Sequence, residues 1–251
     1  MRTLQKRKYK NPPIVEALCE IYFRGSKWDQ TIPGLFYEKI KAEFPNKSEL
    51  KGVNVHLQVK DGAPRTLATE APLRQRFSAQ NNSKMVQVGE NLLVINQLQP
   101  YPNSFEDWKP KIFEMLTLYR DLVSPESIEK IGVRFINKIK IPETNYPMEK
   151  YFQIYPKIST DLAAFHGDFL MRLKIPPPNQ RHELLLTFST TPKDEDGRDA
   201  LLLDIYDVVN PASKDVFSEV KKVVDEAHSN VEHAFEKSIS DEARNLFQEV
   251  K

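Results

Sequence analysis

Glycine is scarce in this chain. Its 251 residues include 8 glycines against 18 prolines, and neither GxGxxG nor GxxxxGK[ST] occurs. The glycine loops whose backbone N–H groups cradle phosphates are therefore missing, and no cofactor is expected. Cysteine is almost absent. Cys19 stands alone, which excludes an intrachain disulfide and a cysteine zinc site. Neither HExxH nor GxSxG is present, and His228 and His233 stand five apart on one helical segment, about 140° around its axis, so they cannot grip one ion. No metal is expected. No window approaches the ~18 apolar residues of a membrane span, and the basic start MRTLQKRKYKNPP lacks the apolar core of a secretory signal. A cytoplasmic protein without membrane contact is the expectation. The net charge of +1 leaves no global field to attract nucleic acid, and aromatics interleave poorly with the basic residues, which argues against a base-stacking platform.

What is present is strong periodicity. IVEALCEIYF (14–23) alternates Val15, Ala17, Cys19, Ile21 and Phe23 with Glu16, Leu18, Glu20 and Tyr22, the period-two pattern of a half-buried strand that begins after Pro12 and Pro13. Cys19 falls on the apolar phase and reads as an inert buried thiol. PGLFYEKIKAEFP reads as a short amphipathic helix, and strands are expected at 53–60, 71–80 and 84–98, the last as a bent strand or a hairpin. SFEDWKPKIFEMLTLYRDLV reads as a long helix with Ser104 as N-cap. Further strands are expected at 128–141, 151–158, 168–175, 182–190 and 200–209, a helical turn at 160–165, and a long closing helix over 213–239.

These elements make an α+β protein, an antiparallel sheet with long helices packed on one face, because the short turns between strands leave no room for parallel crossovers. Both halves read strand, helix, strands, long helix, so two pseudo-repeated β-α-βββ-α units, 1–125 and 126–251, are expected within one unit.

NPPIVEALCEIYF, IGVRFINKIKIP and the ending AHSNVEHAFEKSISDEARNLF together resemble a sporadically distributed, functionally uncharacterised family of bacterial proteins of about 250 residues. The resemblance implies a bacterial cytoplasmic protein and carries over no catalytic residue. Its sporadic distribution fits cargo of mobile elements or phage defence.

The chemistry-bearing candidates lie on strand faces. Arg134 and Lys138, Arg172, and Arg74 and Arg76 all fall on the polar phases of their strands. If those strands are neighbours, one face gathers a basic groove for an anionic small molecule or an acidic protein segment. The competing reading pairs these cations with Glu16 and Glu20 across strands, and Asp204 and Asp207 read as solvated. Within IGVRFINKIKIP, Asn137 interrupts the apolar phase while Ile136 sits on the basic one. A β-bulge at Ile136–Asn137 would exchange them; otherwise Asn137 points inward and needs a buried partner. The leading expectation is a non-enzymatic binding or interaction protein using Arg74, Arg76, Arg134, Asn137, Lys138 and Arg172. The alternatives are an enzyme acting on a nucleotide or phosphate ester at that surface, or an obligate complex subunit. Homo-oligomerisation would use the C-terminal helix.

Overall fold

The computed structural model describes residues 7–50, 53–60, 63–70, 73–102, 104–159, 161–162, 167–176, 181–192, 197–211 and 216–250. In chain order the elements are β1 (Ile14–Arg24), α1 (Ile32–Ile40), β2 (Asn46–Leu50), β3 (Val53–Lys60), β4 (Ala63–Glu70), β5 (Arg74–Ser78), β6 (Lys84–Gly89), β7 (Leu92–Leu98), α2 (Phe105–Val123), β8 (Ser127–Lys140), α3 (Met148–Tyr151), β9 (Leu170–Ile175), β10 (His182–Thr190), β11 (Ala200–Val209), α4 (Val216–Ser238) and α5 (Asp241–Phe247). Nine strands form one sheet in the order β2-β5-β6-β7-β1-β8-β11-β10-β9, and β3 and β4 form a separate hairpin. Every strand pairing among the described residues is antiparallel. The α+β class with an antiparallel sheet is therefore what the structure has.

Alternation along each strand separates two faces. Ala17, Cys19, Ile21 and Phe23 of β1 share the inward face with Leu93 and Ile95 of β7, Ile131, Val133 and Phe135 of β8, and Leu203 and Ile205 of β11. All are buried in one apolar core with Phe36 of α1, Trp108, Ile112, Met115 and Tyr119 of α2, and Val220, Val224, Ala227 and Val231 of α4. α4 lies against β8, β11 and β10, and α2 lies against β7 and α1. The apolar stripe of α4 is thus spent on the core, while Lys221, Lys222, Glu226, Ser229, His233 and Lys237 face solvent. Cys19 is fully buried, and burial pushes its thiol well above the ordinary range, as an inert thiol requires.

β8 corrects the bulge reading. Its pairing with β11 runs without interruption from Ile131↔Val209 to Lys140↔Ala200, and Asn137 stays inward, 2% exposed. The irregularity beside Asn137 lies on the neighbouring strand: Ile14 faces Asn137 and Glu16 faces Ile136, which leaves Val15 as the extra residue. β8 has its own extra residue, Glu129, only before its pairing with β11 begins. The physical reason is position. β8 is paired on both sides, so an extra residue in it would slip its register against β11, whereas β1 is only beginning after Pro12 and Pro13 and absorbs the insertion at its end.

Other boundaries shift as well. Residues 84–98 are a hairpin, β6 and β7. The strand expected at 151–158 reduces to one bridge, Phe152↔Ile239, with the short α3 before it. Pro156 has no N–H to continue a ladder there. β2 and β4 had no periodic signal, since NKSEL and APRTLATE hold few apolar residues. The turn expected at 160–165 lies mostly outside the described residues. Ser104 occupies the N-cap position of α2, but its hydroxyl donates to Asp107 Oδ2 at 2.9 Å and does not accept from a backbone N–H.

Candidate ligand-binding site

Strand register places Arg74, Arg76, Arg134, Lys138 and Arg172 on the outward face, and Asn137 alone on the inward face. The three strands that carry the five cations are not neighbours. Four strand steps separate β5 from β8 and three separate β8 from β9, about 19 Å and 14 Å at the usual spacing. Between them stand Glu16 and Glu20 of β1 and Asp204 of β11. Arg134 grips Asp204 with both arms, Nε to Oδ1 at 2.8 Å and Nη2 to Oδ2 at 2.5 Å. That hydrogen-bonded carboxylate holds the guanidinium firmly charged against the cost of burial. Arg76 donates to Ser48 Oγ at 3.0 Å. The expected pairing with Glu16 and Glu20 does not occur. Glu16 accepts from Asn96 Nδ2 at 2.7 Å and Glu20 from the Tyr206 hydroxyl at 2.6 Å.

Local hydrogen-bonded pairs therefore occupy part of the outward face. Arg134→Ala is expected to lower stability by about 1 kcal/mol, since the pair is bidentate yet partly screened by solvent, and Arg172→Ala by less than about 0.5 kcal/mol. Urea unfolding of the two single variants measures both.

Asn137 leads to a different place. On the inward face, between the start of α2 and α4 near the start of β1, a cavity of about 470 Å³ opens. Ile14, Phe135 and Asn137 form its floor. His228, Val231, Glu232 and Phe235 of α4 and Ser104, Phe105 and Glu106 at the start of α2 form its walls, with Tyr101 from the connection before α2. The segment Arg7–Pro13 borders the mouth. It is pinned to the end of the chain by Lys10 N–H to Gln248 O at 2.9 Å, Asn11 N–H to Phe247 O at 3.0 Å and Val250 N–H to Lys8 O at 2.8 Å. The Tyr9 hydroxyl donates to Glu236 at 2.7 Å, and Arg244 Nε donates to the other oxygen of Glu236 at 2.9 Å.

Two polar groups are set among the aromatic rings. Asn137 Nδ2 donates to the backbone oxygen of Leu203 at 3.1 Å, which offsets the cost of burying the amide and leaves its Oδ1 and second N–H to the cavity that it lines. The Tyr101 hydroxyl is buried with no hydrogen-bond partner among the described residues. Burial, then Asp107 and Glu232, push it well above the ordinary tyrosine range, so it remains a donor. Around them, Phe105 and His228 stack at 3.9 Å and 7°, and Tyr101 meets Phe135 edge-on at 5.7 Å.

A second polar cluster departs from the sequence expectation. Asp207, expected to be solvated, is 0% exposed and accepts from His182 Nδ1 at 2.6 Å and Asn230 Nδ2 at 3.3 Å, tying β11, β10 and α4 together. His182 Nε2 stands 3.7 Å from Glu226. The Asp207 hydrogen bond raises the His182 pKa above its ordinary value, against the opposing effect of burial.

Among the described residues no group of three or more His, Cys, Asp or Glu side chains converges as a metal site. No described helix is long and apolar enough to cross a membrane. No family model matches the chain, and no curated protein matches it. What the cavity arrangement can do, on its own geometry, is enclose a small organic molecule: its size falls in the range of ligand sites, and its lining is mostly apolar with a few convergent polar groups.

Proposed function

We propose that this is a non-enzymatic binding protein whose ligand site is the cavity over Asn137. One observation carries the reading: a buried amide sits on an apolar strand face, where leucine or isoleucine would be the stable choice, and it lines a cavity of about 470 Å³. Among the expected binding residues, Asn137 is retained and the basic residues move to a second role. An anionic partner on the outward face is the second reading. Lys138 and Arg172 favour it, because neither makes an ion pair among the described residues. Their separation, about 14 Å by strand count, restricts that reading to an extended acidic segment, since one phosphate cannot span it. A role in mobile-element or phage-defence cargo is compatible with either.

Filling the cavity tests the first reading. Val231 is 3% exposed and lines the wall. Val231→Phe is expected to weaken any fragment found by thermal-shift screening of the wild-type protein by at least about tenfold, at a stability cost of about 1–3 kcal/mol. Fragments that bind the variant with unchanged affinity sit elsewhere and count against the cavity.

A further inference from the structure

The lining specifies more than size. Five of its side chains are aromatic, Tyr9, Tyr101, Phe105, Phe135 and Phe235, set beside Ile14, Val231 and three prolines. Flat rings offer their faces to flat ligands, through offset stacking or edge-on contact. Phe105 and His228 already lie parallel, and Phe135 stands 5.5 Å from His228 at 56°, so the wall has two differently inclined aromatic planes.

The polar groups flank one of those planes. Asn137 follows Phe135 by two positions on the same strand face, about 7 Å along β8. Tyr101 touches the edge of Phe135. An amide with one N–H engaged still presents an acceptor and a donor on neighbouring atoms. That pair matches the adjacent acceptor and donor on the edge of a nitrogen heterocycle, the same complementarity by which Asn side chains read adenine. The Tyr101 hydroxyl, shielded from solvent by its neighbours, adds a donor with no partner among the described residues. A purely aliphatic ligand would leave both groups unpaired and would lose the gain from burial. A carboxylate or phosphate seated against them would lie near Glu106 and Glu232, while the cations of the lining, Arg7 and Lys8, belong to the segment at the mouth, where Arg7 already pairs with Glu236 and Glu249. The ligand end that enters is therefore planar, rich in ring nitrogen and without negative charge.

We propose that the cavity takes an uncharged nitrogen heteroaromatic ring of the nucleobase type, held edge-on by Asn137 and Tyr101 and packed against the Phe105–Phe135 wall. This rests on the cavity being the ligand site, and the probes separate the two statements.

Isothermal titration is run with adenine, cytosine, naphthalene and decanoate on the wild-type protein, Asn137→Leu and Tyr101→Phe. At least one base binds the wild-type protein. Asn137→Leu weakens it by tenfold or more and Tyr101→Phe by several-fold, while the unfolding midpoint of Tyr101→Phe stays near that of the wild type. Binding of naphthalene or decanoate with both bases silent overturns the ligand class and leaves the cavity reading standing. Base binding that is unchanged in both variants overturns the placement of the base in this cavity. No binding by any of the four overturns both.

Discussion

His182→Ala is expected to remove about 3–5 kcal/mol of stability near pH 7, the cost of leaving a buried charge without its partner. Asp207 is 0% exposed, and its Oδ1 has no hydrogen-bond partner among the described residues, so its charge depends on His182 and Asn230. Removing the imidazole leaves only a neutral amide. The double variant His182→Ala/Asp207→Ala is expected to recover part of the loss, because the buried charge goes with it. The pH dependence follows from the direction of the shift. The folded His182 pKa is raised above 6.5. Its contribution is therefore complete below the unfolded value and declines as pH rises through the higher folded value. Chemical denaturation of wild type and His182→Gln should show a stability gap that is widest in mildly acidic buffer and narrows toward alkaline pH. A gap that widens with pH would show that the imidazolium–carboxylate pair is not what holds α4 to β10 and β11.

Gly132→Val is the second large effect. Gly132 lies on the outward face of β8, beside Arg134 and opposite Val208. A Cβ there would meet Tyr206 at 2.4 Å, at both Cε2 and the hydroxyl oxygen. Tyr206 cannot swing aside cheaply, because its hydroxyl donates to Glu20 at 2.6 Å and its ring lies 5.9 Å from the Arg134 guanidinium. The substitution is expected to cost about 1–3 kcal/mol through overpacking. In a Tyr206→Ala background the same change should cost little, since the obstructing ring is gone and valine suits a strand. Equal costs in the two backgrounds would mean that the glycine answers to the backbone and not to Tyr206.

Strand phase was legible in the sequence because period two needs no tertiary knowledge. It placed Cys19 inward, Arg134 outward and Asn137 as an anomaly, and the structure agrees with each. The same rule held two further signals. His182 shares the apolar phase of its strand with Leu184, Leu186 and Phe188, and Asp207 shares that of Leu203 and Ile205. Each polar residue on an apolar phase turned out to be buried and hydrogen-bonded. Strand order was not legible, since phase names a face without naming a neighbour. Arg76 and Arg172 share a face yet sit on strands near opposite ends of the sheet. The location of the bulge was hidden for a similar reason. Register belongs to a pair of strands, and the anomaly seen in β8 is answered by an extra residue in β1. The cavity draws Tyr101 from a connection, Phe105 from a helix start and His228 from a distant helix, and no local pattern joins them.

Whether Asn137 marks the ligand site is decided by mapping ligand-induced chemical shifts on isotope-labelled protein. The panel would hold uncharged heteroaromatic fragments and phosphate-bearing ones. Binders are expected to perturb the Asn137 side-chain amide together with Tyr101, Phe105 and His228. Shifts confined to Arg74, Arg76, Lys138 and Arg172, with the Asn137 amide unmoved, would contradict it and return the site to the outward face.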